Sequence, residues 1–168
     1  MGHQAIVYGR IQETWEGTSV RWPKSPAHNE CVLSRLPDED QVWPFLTRHM
    51  FALLPQANLG PDRGCYRGRS IHFAANLKED PNDPNWPLAF LQKLEQLVLS
   101  KLLWRSAKVH FESAFFPERV FVYRSDPESL AMVHAELEMC YFAEQIGSTV
   151  TWKREESHML VDKHPWLY

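Results

Sequence analysis

The chain lacks a surplus of positive charge, an unbroken apolar run and any paired set of cysteines, and each absence excludes a class of protein. Lys and Arg number 18 against 21 Asp and Glu, a net charge of −3. That balance argues against a general nucleic-acid binder, which needs clustered cations to neutralise phosphates. The most apolar stretch, Trp86 to Trp104, is broken by Gln92, Lys93, Glu95, Gln96 and Lys101, so it falls short of the ~20 apolar residues that cross a bilayer. Three cysteines at wide spacing, Cys31, Cys65 and Cys140, suit neither a disulfide framework nor a zinc ribbon. Free thiols are expected, with Cys31 and Cys140 buried on helices. The N-terminus has no charged flank and long apolar core of a signal peptide, so a cytoplasmic location is expected. No Walker-type glycine loop, G-x-G-x-x-G or G-x-S-x-G sequence occurs, which removes the usual support for phosphate cradling and serine hydrolysis.

What is present suits one globular domain over residues 1–168: 44% apolar, 12% aromatic and 23% charged residues, enough to fill one core. Ala5 to Ile11 alternate with a period of two and predict a strand. Glu13 to Lys24 reads as a loop. Ser25-Pro26 predicts a helix start, with the helix running to about Leu36. Asp38, Glu39 and Asp40 predict a second helix with Val42, Phe45, Leu46, Met50 and Leu53 as its apolar stripe, starting late enough to place Pro44 in the first turn. Pro55 to Gly68 reads as a loop and Ser70 to Leu77 as a strand. The run Glu79 to Asn85 predicts an acidic loop. A long helix follows from Trp86 to Trp104, its stripe Phe90, Leu91, Leu94, Leu97, Val98 and Leu102. Lys108 to Phe115 and Arg119 to Arg124 predict a hairpin. Asp126-Pro127 predicts a helix start, Gly147 its stop, Ser148 to Lys153 a last strand, and His158 to Tyr168 a tail. The expected fold is α+β, with a mixed or mainly antiparallel sheet of about five strands covered by helices.

Candidate chemistry is sparse. His134-Ala135-Glu136 has the spacing seen in zinc deaminases, but the required Pro-Cys-x-x-Cys is missing, and a histidine at the core boundary is the simpler reading. Cys65 sits among Arg63, Arg67 and Arg69, which would favour a thiolate; with Tyr66 these arginines also form a small basic, aromatic loop. A flexible basic loop is again the simpler reading. No cofactor or metal is expected. Seven tryptophans are many for this length, and Trp15, Trp22 and Trp86 fall in or beside expected loops, where they are candidate partner-binding residues. Trp86 close to Asp80 and Asp83 suggests an aromatic anchor in an acidic rim, an arrangement suited to a protein partner with a basic cleft.

The opening strand Ala5-Ile6-Val7-Tyr8-Gly9-Arg10-Ile11, the wealth of Trp and Pro, the acidic loops and the missing active-site motif together resemble the immunity proteins of bacterial polymorphic toxin systems of the Rhs type. The resemblance is one of composition and layout and transfers no functional residue. It implies a protein-binding inhibitor that occludes the active site of a cognate toxin, with no nucleic acid or membrane as partner. Two alternatives stand beside it: a small enzyme using Cys65 or a histidine, and a structural subunit of a larger assembly.

Overall fold

The alternation at the N-terminus is realised as a strand. The computed structural model describes residues 4–14, 25–53, 70–140 and 145–157. In it β1 spans Gln4–Glu13 and buries Ala5, Val7 and Ile11. There follow α1 (Ser25–Ser34), a 3-10 turn (Arg48–Met50) leading into the short β2 (Phe51–Leu53), and β3 (Ser70–Lys78). Next come α2 (Trp86–Leu94), which continues as a π-helical turn through Glu95–Leu99, β4 (Trp104–Glu112), β5 (Arg119–Ser125), α3 (Pro127–Met139) and β6 (Trp152–Ser157). The strands form one six-stranded sheet in the order β2-β3-β1-β4-β5-β6, antiparallel at every step. The α+β expectation holds, and the additional sixth strand is the short edge strand β2.

One face of the sheet makes the core. Val7 lies opposite Ala75 on β3 and Phe111 on β4, and Ile11 lies opposite Ile71 and Ala107. Phe111 takes the edges of Trp86, Phe90 and Phe121 at ring separations of 5.3, 5.8 and 5.8 Å. Each such large side chain, fully withdrawn from water, contributes roughly 1.5–3 kcal/mol. Val32 and Leu33 of α1 with Leu36 just beyond it, Leu91 and Leu94 of α2, and Val133 and Leu137 of α3 join the same cluster. Buried Asn29 ties α1 to the start of β4: its amide donates to Glu13 and to the Leu103 carbonyl, and its oxygen accepts from the Leu103 N–H.

The expected helix over Asp38 to Leu53 does not form. Asp40 turns its carboxylate back on the chain, accepting the N–H groups of Val42 and Leu46, both at 2.9 Å. Such side-chain bonds offer the backbone an alternative to the helical ladder, and Pro44 cannot donate to that ladder. The presumed stripe is therefore scattered: Leu46 is fully buried while Val42 is 65% exposed. Lys93 of α2 completes the arrangement with an ion pair to Asp40 at 2.7 Å and a bond to the Val42 carbonyl. Burial pushes the Asp40 carboxyl up, but Lys93 and the two N–H groups outweigh it and hold the group below its usual range. Stability from this site is thus present above the unfolded-state pKa and is lost as pH falls through the lower folded value. Replacing Asp40 with Ala is expected to cost roughly 2–3 kcal/mol at neutral pH. In urea denaturation the gap between the variant and the parent should narrow as the medium is made acidic enough to protonate Asp40; a constant gap would contradict the assignment.

Other boundaries move for identifiable reasons. The helix expected to reach Trp104 stops at Leu99, where the π turn shifts the stripe and leaves Leu97 36% exposed. Trp104 instead opens β4 and donates its indole N–H to the Leu99 carbonyl at 2.7 Å. The hairpin connection is longer than expected because the Ser113 hydroxyl accepts the N–H groups of Phe115 and Phe116 and builds a turn there. Asp126 caps α3 by accepting the Ser129 N–H at 2.9 Å. That helix ends at Met139 rather than Gly147. The last strand starts at Trp152 because Val150 is drawn into the core and bonds to the Ser100 carbonyl. Cys31 and Cys140 are free and partly exposed, not buried, with Cys140 just past the end of α3. The expected loop from Pro55 to Gly68 and the tail His158 to Tyr168 lie outside the described residues, as does most of the loop from Glu13 to Lys24.

Candidate functional site

The acidic loop with its aromatic anchor is only half realised. Trp86 is 1% exposed, packed against Trp43 and Phe111, so the exposed-anchor expectation is corrected: its indole belongs to the core. Glu79 is buried as well. It accepts the Trp86 indole N–H at 3.3 Å, the Ala114 N–H at 3.1 Å and the Ser113 hydroxyl, a set of donors that accounts for a carboxylate so far from water. Asp80 and Asp83 remain accessible, but each spends an oxygen on its own turn, accepting the N–H of Asn82 and of Asn85 respectively. Trp15, Trp22, Cys65 and the arginines beside it lie outside the described residues.

The structure draws together a different set of side chains. Outward positions of β1, β3, β4 and β5 line a cleft of about 1090 Å³ on the face opposite the core, with Leu130 and His134 of α3 at one end. Register explains its composition. Arg10 stands directly opposite His72 on β3 and Lys108 on β4, and Arg124 of β5 lies opposite Ser106, one diagonal step from Lys108. Strands spaced ~4.8 Å apart make this a line of basic groups about 14 Å long. Among the described residues, Arg105 adds a fourth permanent cation, His110 and His134 bring the histidines to three, and no Asp or Glu lines the cleft. Like charges placed directly opposite on neighbouring strands destabilise a sheet, and Arg10 and Lys108 are such a pair. Among the described residues, Arg10, Arg105 and Arg124 make no ion pair.

Beside the cations, the Tyr8 and His110 rings stack at 4.7 Å with their planes 7° apart, as their cross-strand pairing allows. Burial, helped by a hydrogen bond to Glu112, pushes the Tyr8 hydroxyl up to about 12, so it stays protonated and serves as a donor. Burial and then the nearby Lys108 hold His110 below the usual histidine range, against the pull of Glu118; its Nδ1 stands 3.7 Å from that carboxylate, beyond hydrogen-bond reach. His134 is almost fully buried, with Nε2 3.4 Å from the Thr14 hydroxyl. Glu136, two residues on, accepts the N–H groups of Gly147 and Ser148 instead, so the pair with deaminase spacing does two separate structural jobs. Among the described residues no three His, Cys, Asp or Glu groups gather as a metal site, and no helix is long and apolar enough to cross a membrane.

Protein-family models, curated proteins and solved structures give no match to this chain. The functional reading therefore rests on the cleft itself. Sequence reasoning missed the cleft because it judged charge over the whole chain. A signal existed: Ile71-His72-Phe73 and Val109-His110-Phe111 each place a histidine between two inward residues, and Arg10 and Lys108 occupy the same outward phase.

Proposed function

We propose that this protein is a binding protein that acts as an inhibitor of another protein, and that its working surface is the basic open face of the sheet. One observation carries the reading: permanent cations on three adjacent strands, Arg10, Lys108 and Arg124, with His72 beside them on a fourth, in a cleft lined among the described residues by no carboxylate, on a chain whose net charge is −3. Segregation of this kind steers a partner of opposite sign and fixes its orientation. Arg and Tyr, both present here, are favoured anchors at interfaces. The immunity-type resemblance makes the partner a bacterial toxin domain met in the cytoplasm, and the result of binding the occlusion of its active site. The cations meet acidic groups of that partner, and exposed Asp80 and partly exposed Asp83 form a separate, secondary contact.

The test is co-expression with a toxin-sized domain encoded by the neighbouring reading frame. The parent protein is expected to restore growth and to co-purify. The pair Arg10→Glu and Arg124→Glu reverses two exposed charges and should abolish both effects, with the circular dichroism spectrum unchanged. Rescue that survives the reversal would place the contact elsewhere, and no rescue by the parent would sink the inhibitor reading. A second reading, a small enzyme working through histidine, is favoured by the presence of His72, His110 and His134 in one cleft; it requires turnover that disappears in His72→Gln or His110→Gln.

A further inference from the structure

The stacked pair in the cleft has an unfinished side. Tyr8 and His110 sit on neighbouring strands with ring centroids 4.7 Å apart, which is the interstrand spacing itself. One further step in the other direction reaches Ala74, directly opposite Tyr8 on β3. Its exposed methyl is too short to cover a ring, so among the described residues no ring stacks on the second side of Tyr8, which leaves a slot there. The slot adjoins the cations: Arg10 is two residues from Tyr8 and His72 two residues from Ala74, about 7 Å along each strand on the same face.

We infer that the cleft binds a phosphorylated ligand carrying a flat ring, the chemistry of a nucleotide, with the ring on Tyr8 over Ala74 and the phosphates on Arg10, His72 and Lys108. Planar guanidinium groups hold phosphate oxygens in pairs, and aromatic side chains accept any base through its π face. Tyr8, already engaged with His110 on one side, is held upright to receive it. The inference goes beyond the inhibitor reading and does not depend on it, although a nucleotide and an acidic protein would compete for Arg10.

Calorimetry on the purified full chain tests it, with adenosine 5′-diphosphate, inorganic phosphate and adenosine as separate titrants. The diphosphate is expected to bind saturably and at least tenfold more tightly than either fragment. Arg10→Gln should weaken it about tenfold or more, and Ala74→Phe, which fills the slot at an exposed position, should reduce it to the level of phosphate while phosphate binding stays unchanged. Tyr8→Leu should match Ala74→Phe. No saturable binding of the diphosphate, or binding indifferent to Arg10→Gln and Ala74→Phe, would overturn the inference. Because no protein partner enters the measurement, its failure is separate from failure of growth rescue.

Discussion

Replacing Trp86 with Ala is expected to lower the stability of the protein by about 3–5 kcal/mol. The indole is 1% exposed and touches the rings of Trp43 and Phe111, so truncation opens a cavity bounded by the sheet, α2 and the segment around Trp43. It also removes one of the donors that keep Glu79 satisfied in the interior. A loss of this size is a large part of the 5–15 kcal/mol that ordinarily separates folded from unfolded states. Trp86→Phe separates the two effects: it keeps most of the ring and loses the N–H, at a cost of about 1 kcal/mol, because Ser113 and Ala114 still donate to Glu79. Urea denaturation followed by far-ultraviolet circular dichroism measures both. If Trp86→Ala unfolded within about 1 kcal/mol of the parent, the indole would not be the core element described.

Gly9→Ala is the second large effect. A Cβ at this position would stand 2.5 Å from the Lys108 carbonyl oxygen and 2.6 Å from Cε1 of Phe73. Gly9 faces the core on the central strand, directly opposite Phe73, whose ring uses the space that any side chain would fill. The carbonyl is part of the β1–β4 ladder and cannot withdraw without breaking it. Overpacking of this kind costs typically 1–3 kcal/mol, and the rigid backbone neighbour places Gly9→Ala at about 3 kcal/mol. The same denaturation measurement checks it, and a loss under about 1 kcal/mol would show that Phe73 turns aside freely.

These two positions show how unevenly the sequence exposes the fold. β1 and β3 were legible because each alternates cleanly and is buried on one face, and period-two patterning then has a single reading. The start of α3 was legible because Asp126 and Pro127 act locally on the first turn. By contrast, Asp38, Glu39 and Asp40 are equally good as the start of a helix and as acceptors for a folded-back loop. Lys93, fifty-three residues away in sequence, joins Asp40 in the second arrangement. Trp104 failed for a related reason: an apolar run long enough for helix and strand together carries no mark of where one becomes the other. Trp86 failed because a tryptophan beside acidic residues looks like a surface anchor until one of those residues, Glu79, is found inside with it.

Composition and short-range pattern determined the α+β class, most of the strands and the capped start of α3, because those features depend on neighbours within a few residues. The cleft was decided only by tertiary structure. Arg10, His72, Lys108 and Arg124 are scattered over more than one hundred residues, and each alone is an ordinary outward-facing side chain. Antiparallel register on four adjacent strands sets them in one row, with the nearest carboxylates, Glu112 and Glu118, beside Tyr8 and His110 rather than in the row. Local sequence encodes the phase of each strand, whereas the order and register of strands arise from packing a shared core, and the electrostatic character of the open face follows from that packing.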